Sequence, residues 1–334
     1  MEKTTKVLTS PSPSAKVTPR TYTDEQQQQI EELRQVQLIA GPQYAESLLL
    51  PESDPYSIWE RRWLASQGTV ARYMRAGKWR MDECKKRIKG TLEWRRSYKP
   101  DLIPPEEVRI ESETGKIILN GFDCDGRPIL YMRPGRENTE TSPRQLRHLV
   151  FCLERARDFL PDGQDSIVII VDYRSTTLRT NPSVGTARKV LTILQQHYVE
   201  TLGRAIVTNL PLLLNFFYKG ISPFLDPVTR DKMRFNPDLS VLVPADHLDA
   251  SFGGEFNYEF EPVSYWNQII EYAINFHPAS SFLYDCRFRH CKIAEDGTRT
   301  DWPTDSPAER PGEGSEQRES ETAEQTEVAS ESPK

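Results

Sequence analysis

The chain predicts an α/β fold, a sheet with helices packed on it, preceded by a helical region. Two observations carry this. "SIVIIVDY" (166–173) is a short unbroken apolar run, the pattern of a strand buried on both faces, and it lies between two helix-length amphipathic segments. Ahead of Gly115 the apolar residues instead recur at helical spacing, as at Ile88, Leu92 and Trp94.

Taken in order, residues 24–99 read as three helical segments: "DEQQQQIEELRQVQLIA", "SIWERRWLASQGTVARYMRAGKW" and "RMDECKKRIKGTLEWRRSYK". "KPDLIPPEE" ends that regime with three prolines. "GKIILNGFDCDGRPILYMRP" is two β-prone runs about an Asp125-Gly126 turn. An amphipathic helix, "SPRQLRHLVFCLERARDFL", leads into the buried strand at 166–173. "NPSVGTARKVLTILQQHYVETLG" is a helix with Pro182 near its start and Gly203 past its end. "RAIVTNLP" is a further strand, "KMRFNPDLSVLVPADHL" a last strand region, and "PVSYWNQIIEYAINF" a closing helix. No internal repeat is present.

Composition bounds the function. No apolar run approaches the ~20 residues of a membrane-spanning helix. The first residues lack the apolar stretch of a signal peptide, so the expected compartment is cytoplasmic. Five scattered cysteines do not make a disulfide framework, and Cys286, His290 and Cys291 match no common four-ligand metal spacing, so no metal is expected. Ten acids against three bases in residues 301–334 exceed the whole net charge of −6 and leave the rest near neutral. Both ends, 1–23 and 301–334, have the composition of disordered segments. There is no P-loop, no G-x-S-x-G and no zinc protease motif. An aromatic–basic module for nucleic acid is also missing. Asp172, at the end of "IVIIVD", could be the carboxylate of an α/β hydrolase or phosphatase, or a turn cap.

The stretch "NLPLLLNFFYKGISPFLDPVTRDKM" (209–233) stands out. Its apolar residues point in nearly every helical direction. Such a helix is either wholly buried or touches its own protein on one face and something equally apolar on another. Gly220 and Pro223 interrupt it, which suits a hinge. Asp226 then caps a new helix with Pro227 at its first position. Thr229 and Lys232 share a face of that helix near an N-terminus suited to anions. Glu200 falls in a last helical turn, where the dipole disfavours an acid, so it needs a partner: Arg204 or the hydroxyls of a ligand.

In this order "YMRAGKW…EWRR", "DGRPILYMRPGR", "IVIIVDY", "HYVETLGRAIVTNLP", "FLDPVTRDKM" and "ASFGGEF" resemble the CRAL-TRIO lipid-binding family, more narrowly the yeast-type phosphatidylinositol transfer proteins, over about residues 57–256. The resemblance implies a helical N-terminal subdomain (24–104), a lipid-binding domain with a mixed sheet and an apolar cavity (105–262), and a C-terminal helical extension (263–300). It implies a gating helix within 211–226. There Leu212, Leu213, Leu214, Phe216, Phe217, Phe224 and Leu225 would touch acyl chains, with the hinge at Gly220 and Pro223. It places the phosphatidylinositol headgroup on Glu200, Thr229, Lys232 and Lys78.

Two positions depart from the family pattern. Gly77 stands where many relatives have arginine, with Arg75 a substitute if helix geometry allows. Leu130 stands where carriers of phosphatidylcholine have an aromatic. The implied protein is a monomeric carrier, not an enzyme. It has no cofactor beyond a bound lipid, touches membrane surfaces transiently, and has a lipid kinase as a candidate recipient. A sterol or other hydrophobe is the alternative cargo. The basic residues between Lys78 and Lys99 would serve an anionic membrane or be a solvated face.

Overall fold

The computed structural model describes residues 2–38, 49–51, 53–54, 56–66, 68–211 and 219–275. Four helices come first: α1 (Asp24–Leu38), α2 (Ser57–Ala65), α3 (Thr69–Ala76) and α4 (Met81–Tyr98). The segment 57–79, expected as one helix, is two. Gly68 turns the chain at a φ of 71°, a conformation that residues with a Cβ adopt only at a cost. These helices share a core of their own that includes Trp63, Tyr73, Met74, Ile88 and Leu92.

After α5 (Pro105–Ser112) come five strands: β1 (Ile117–Phe122), β2 (Pro128–Met132), β3 (Ile167–Asp172), β4 (Leu202–Thr208) and β5 (Met233–Phe235). They lie in sequence order in one sheet, β1 antiparallel to β2 and the rest parallel. Parallel neighbours need crossovers. Helix α6 (Pro143–Asp158) joins β2 to β3, and α7 (Val184–His197) joins β3 to β4. The segment joining β4 to β5 ends in the short α8 (Pro227–Asp231), and α9 (Pro262–Asn275) follows the sheet. The expected mixed α/β architecture is present.

The two sheet faces differ. Val168, Ile170 and Ile206 belong to a solid core shared with Leu239, Val243 and Leu248, and Tyr131 stacks on Phe252 at 5.8 Å. Register places Met132, Ile169, Val171, Ala205, Val207 and Met233 together on the opposite face.

Four expectations need correction. Helix α7 ends at His197, so Glu200 lies beyond it in a turn, and Gly203 is inside β4 rather than past a helix end. The last strand region shrinks to three residues. Asp238 instead accepts from the Ser240 amide at 3.0 Å and folds Leu239–Val241 into a 3-10 turn. Helix α9 is no appendage: Trp266 and Ile270 enter the main core, and the Tyr265 hydroxyl accepts from the Leu119 amide at 2.8 Å.

Residues 2–22, expected to be disordered, form an extended strap along the fold. Its backbone amides find side-chain acceptors, Val7 on Gln268 at 2.8 Å and Leu8 on Asn120 at 2.9 Å. The Lys16 amide reaches the Cys124 carbonyl at 2.8 Å. A Ser/Thr/Pro-rich composition says little about such long-range partners. Residues 276–334, with Cys286, His290, Cys291 and the acidic tail, lie outside the described residues.

A buried ion network ties the first helices to the sheet domain. The Arg95 guanidinium donates to Glu154 at 3.0 and 3.2 Å and to Asp101 at 2.6 Å. Tyr198 and Arg157 also donate to Glu154, at 2.7 and 3.1 Å. Facing cations and these bonds outweigh burial and hold the Glu154 carboxyl well below the usual carboxylate range.

Candidate functional site

The cavity starts from strand alternation. Met132, Ile169, Val171, Ala205, Val207 and Met233, all on one sheet face, form its floor. Leu149 and Leu153 of α6 and Val190 and Leu194 of α7 wall it, while Leu210, Ile221 and Leu225 line it from the β4–β5 connection. Between this floor and the helices about 850 Å³ stays open. That is at the upper end of the roughly 300–1,000 Å³ of small-molecule pockets.

Ions cluster where β4 and β5 begin. These strands pair in parallel with Met233 opposite Ala205, so Glu200 and Lys232 both precede the paired stretch at the same end of the sheet, and the long Lys232 side chain spans to Glu200. Lys232 Nζ donates to Glu200 Oε2 at 3.3 Å, and Arg75 Nε stands 4.0 Å from the same oxygen. The Glu200 backbone is left-handed at a φ of 55°. A non-glycine residue pays about 1–3 kcal/mol for such a conformation, and such strain concentrates at functional sites. Arg204, the ordinary partner expected for Glu200, instead binds Asp123 and Asp125 at 2.7 and 2.8 Å.

Thr229 and Lys78 line the same cavity. Asp226 caps α8 as expected, accepting from the Thr229 amide at 2.8 Å. It also accepts the Thr229 hydroxyl at 2.6 Å, so that proton is committed in this state. Lys78 is exposed, and its backbone is also left-handed, at 52°. Gly77 packs against α4: a Cβ there would meet Cys84 Sγ at 2.3 Å, so no side chain fits without movement. Arg75 does approach Glu200, and its guanidinium also donates to Asp165 at 2.6 Å.

Tyr22 and Asp165, which hold Arg75, were not among the expected site residues. Nothing local in the sequence marks them, because they come from the strap and from the loop before β3. A second charged group lines the cavity near the far ends of the strands: Lys116 with Glu137 at 2.6 Å, beside Thr139 and His148. Burial pushes His148 down to about 3, so it is neutral at pH 7.

Of the expected gate, Leu212, Leu213, Leu214, Phe216 and Phe217 lie outside the described residues. Gly220 is helical, and Pro223 is in the 3-10 turn Ser222–Phe224. Leu225 is buried against the cavity. Phe224 is not among its lining residues and carries the Arg188 guanidinium 4.8 Å above its ring. Leu130 is fully buried on the same strand face as Met132. Asp172 is a turn cap: its Oδ1 accepts from the Arg174 amide at 3.0 Å and from Asn209 Nδ2 at 2.9 Å.

Residues 112–254 match the CRAL/TRIO domain family. A CRAL-TRIO domain-containing protein of Schizosaccharomyces pombe is 48% identical over 212 residues, 64% of this chain and 21% of that protein. The phosphatidylinositol transfer protein PDR17 of Saccharomyces cerevisiae is 34% identical over 229 residues, 65% of each chain. The crystal structure of Sfh5 shares the fold, with a TM-score of 0.54 at 18% identity over 72% of this chain and 91% of that one. The chain thus spans from about a fifth to just under two thirds of the length of these two curated relatives.

Proposed function

Residues 112–254 being a CRAL/TRIO domain, we propose that the chain binds one phosphatidylinositol at a time in its cavity and carries it between membranes. The observation that carries this reading is an apolar cavity of about 850 Å³ with an acid and an amine side by side at one end. The similarity to a phosphatidylinositol transfer protein supports it.

The chemistry divides by region. Acyl chains occupy the floor of β2–β5, where burial is worth about 0.8 kcal/mol per methylene, comparable to the bilayer they leave. Exchange is therefore close to neutral and follows gradients. Lys232 and Lys78 pair with the phosphodiester. Glu200 accepts from inositol hydroxyls, which disfavours headgroups that lack them. Thr229 adds a donor once its hydroxyl turns from Asp226. Residues 211–226 act as the gate, with the hinge at Gly220 and Pro223, and open during transient contact with a membrane surface. No covalent step is involved. Presenting the lipid to a kinase would link the carrier to phosphoinositide homeostasis.

The test is a vesicle transfer assay. Wild type is expected to move phosphatidylinositol, and Glu200→Ala with Lys232→Ala to stop moving it while remaining folded. Normal transfer by the double variant refutes the site. Exclusive transfer of a sterol by wild type refutes the ligand.

A further inference from the structure

We propose that Arg75, held in place by the N-terminal strap, is a positioning residue of the headgroup site: it keeps Glu200 paired and aimed when Lys232 turns to a ligand's phosphate. This rests on the phosphatidylinositol reading above.

The three guanidinium nitrogens face three different partners. Nη2 donates to Asp165 Oδ2 at 2.6 Å, and Nη1 donates to the Tyr22 hydroxyl. Nε is buried without a hydrogen-bond partner among the described residues, and Glu200 Oε2 stands 4.0 Å away. A buried N–H left unpaired is costly, so this one is poised to take an acceptor.

Glu200 has a matching need. The one hydrogen bond its carboxylate receives from a described side chain comes from Lys232, at 3.3 Å on Oε2. Lys232 has a flexible stem and is also the cation best placed to meet a phosphodiester. When it turns, Glu200 is left partly buried and uncompensated unless a second cation stays. Arg75 stays, because Asp165 and Tyr22 hold its other two nitrogens. A shift of about 1 Å then brings Oε2 within hydrogen-bond reach of Nε and leaves Oε1 for a ligand hydroxyl.

The strap fixes this arrangement. Tyr22 packs edge-on against Trp79 at 5.8 Å, and Arg20 Nε approaches the other Asp165 oxygen at 3.4 Å. Gly77, pressed against Cys84, has no room for a cation of its own. The residues before α1 are therefore part of the binding site, one layer behind the groups that touch ligand.

The experiment uses the full chain and two readouts: phosphatidylinositol transfer between vesicles, and uptake of a pyrene-labelled hydrocarbon that has no headgroup. Arg75→Gln is expected to slow phosphatidylinositol transfer about tenfold with hydrocarbon uptake unchanged, the size of one lost charge-assisted bond. Arg75→Lys should recover part of it. Tyr22→Phe, which removes one hydrogen bond and keeps the ring packing, should slow transfer about two- to fivefold. Equal loss of both readouts in Arg75→Gln would make Arg75 a structural residue and overturn the proposal. Unchanged phosphatidylinositol transfer in Arg75→Gln, or in Tyr22→Phe, would also overturn it. If wild type takes up hydrocarbon but moves no phosphatidylinositol, the functional reading fails instead, so the two failures are distinguishable.

Discussion

Two of this molecule's clusters of opposite charges, one around Glu154 and one around Glu200, differ in kind. In the first, the side chains of Arg95 and Glu154 are 1% and 3% exposed, and the carboxylate accepts from Arg95, Arg157 and Tyr198. In the second, Glu200 and Lys232 are 18% and 22% exposed, and the carboxylate accepts one long bond while Arg75 Nε waits unpaired. Arg95 Nε is unpaired as well, so the difference lies in the carboxylates: that of Glu154 is saturated by four hydrogen bonds and closed off, and that of Glu200 is under-coordinated and opens on a cavity. Saturation marks a group that holds the fold, and spare bonding capacity marks one that can hold a ligand.

This contrast orders the expected effects on stability. The largest follows Glu154→Ala, which takes from the buried Arg95 one of its two carboxylate partners, leaving Asp101, and removes the acceptor of Tyr198 and Arg157. Removing one partner of a buried pair costs about 3–5 kcal/mol, measurable by urea unfolding; a loss below about 1 kcal/mol would mean the network is not closed. Acid comes next. Burial holds His148 near 3, below its ordinary 6.5, so the folded state refuses a proton that the unfolded chain accepts. Its contribution is fully present above pH 6.5 and is lost as pH falls toward about 3, amounting to on the order of 2 kcal/mol by pH 4.5. His148→Phe should flatten the dependence of the urea midpoint between pH 7 and 4.5. An unchanged slope would show that His148 is not shielded.

Asp226→Ala removes a helix cap and is expected to cost about 1 kcal/mol. An unchanged urea midpoint would mean α8 does not depend on that cap. The smallest effect on stability belongs to Glu200→Ala with Lys232→Ala, within about 1 kcal/mol because the pair is partly solvated. A loss as large as that of Glu154→Ala would erase the contrast between the clusters.

The sequence announced the sheet because β3 is an unbroken apolar run and its neighbours alternate with helices. It announced the α8 cap because Asp-Pro at a helix start has a local mechanism. Glu200, Lys232, Thr229 and Lys78 came from a motif resemblance, and all four line one cavity. What stayed hidden was non-local. The ordering of residues 2–22 depends on acceptors far away in the chain, such as Gln268 and Asn120. The end of α7 was misplaced because the chain already leaves the helix at Tyr198, with φ −117° and ψ 42°, a departure that its residue type does not advertise. Arg75 was visible only as a conditional substitute, since its role depends on Asp165 and Tyr22 from two other segments.

The decisive observation is native mass spectrometry of the full chain after equilibration with vesicles of phosphatidylinositol, phosphatidylcholine and sterol. One phosphatidylinositol per wild-type chain is expected, and none on the Glu200→Ala, Lys232→Ala chain. A wild-type chain that emerges without phosphatidylinositol, or a double variant that retains it, would contradict the assignment.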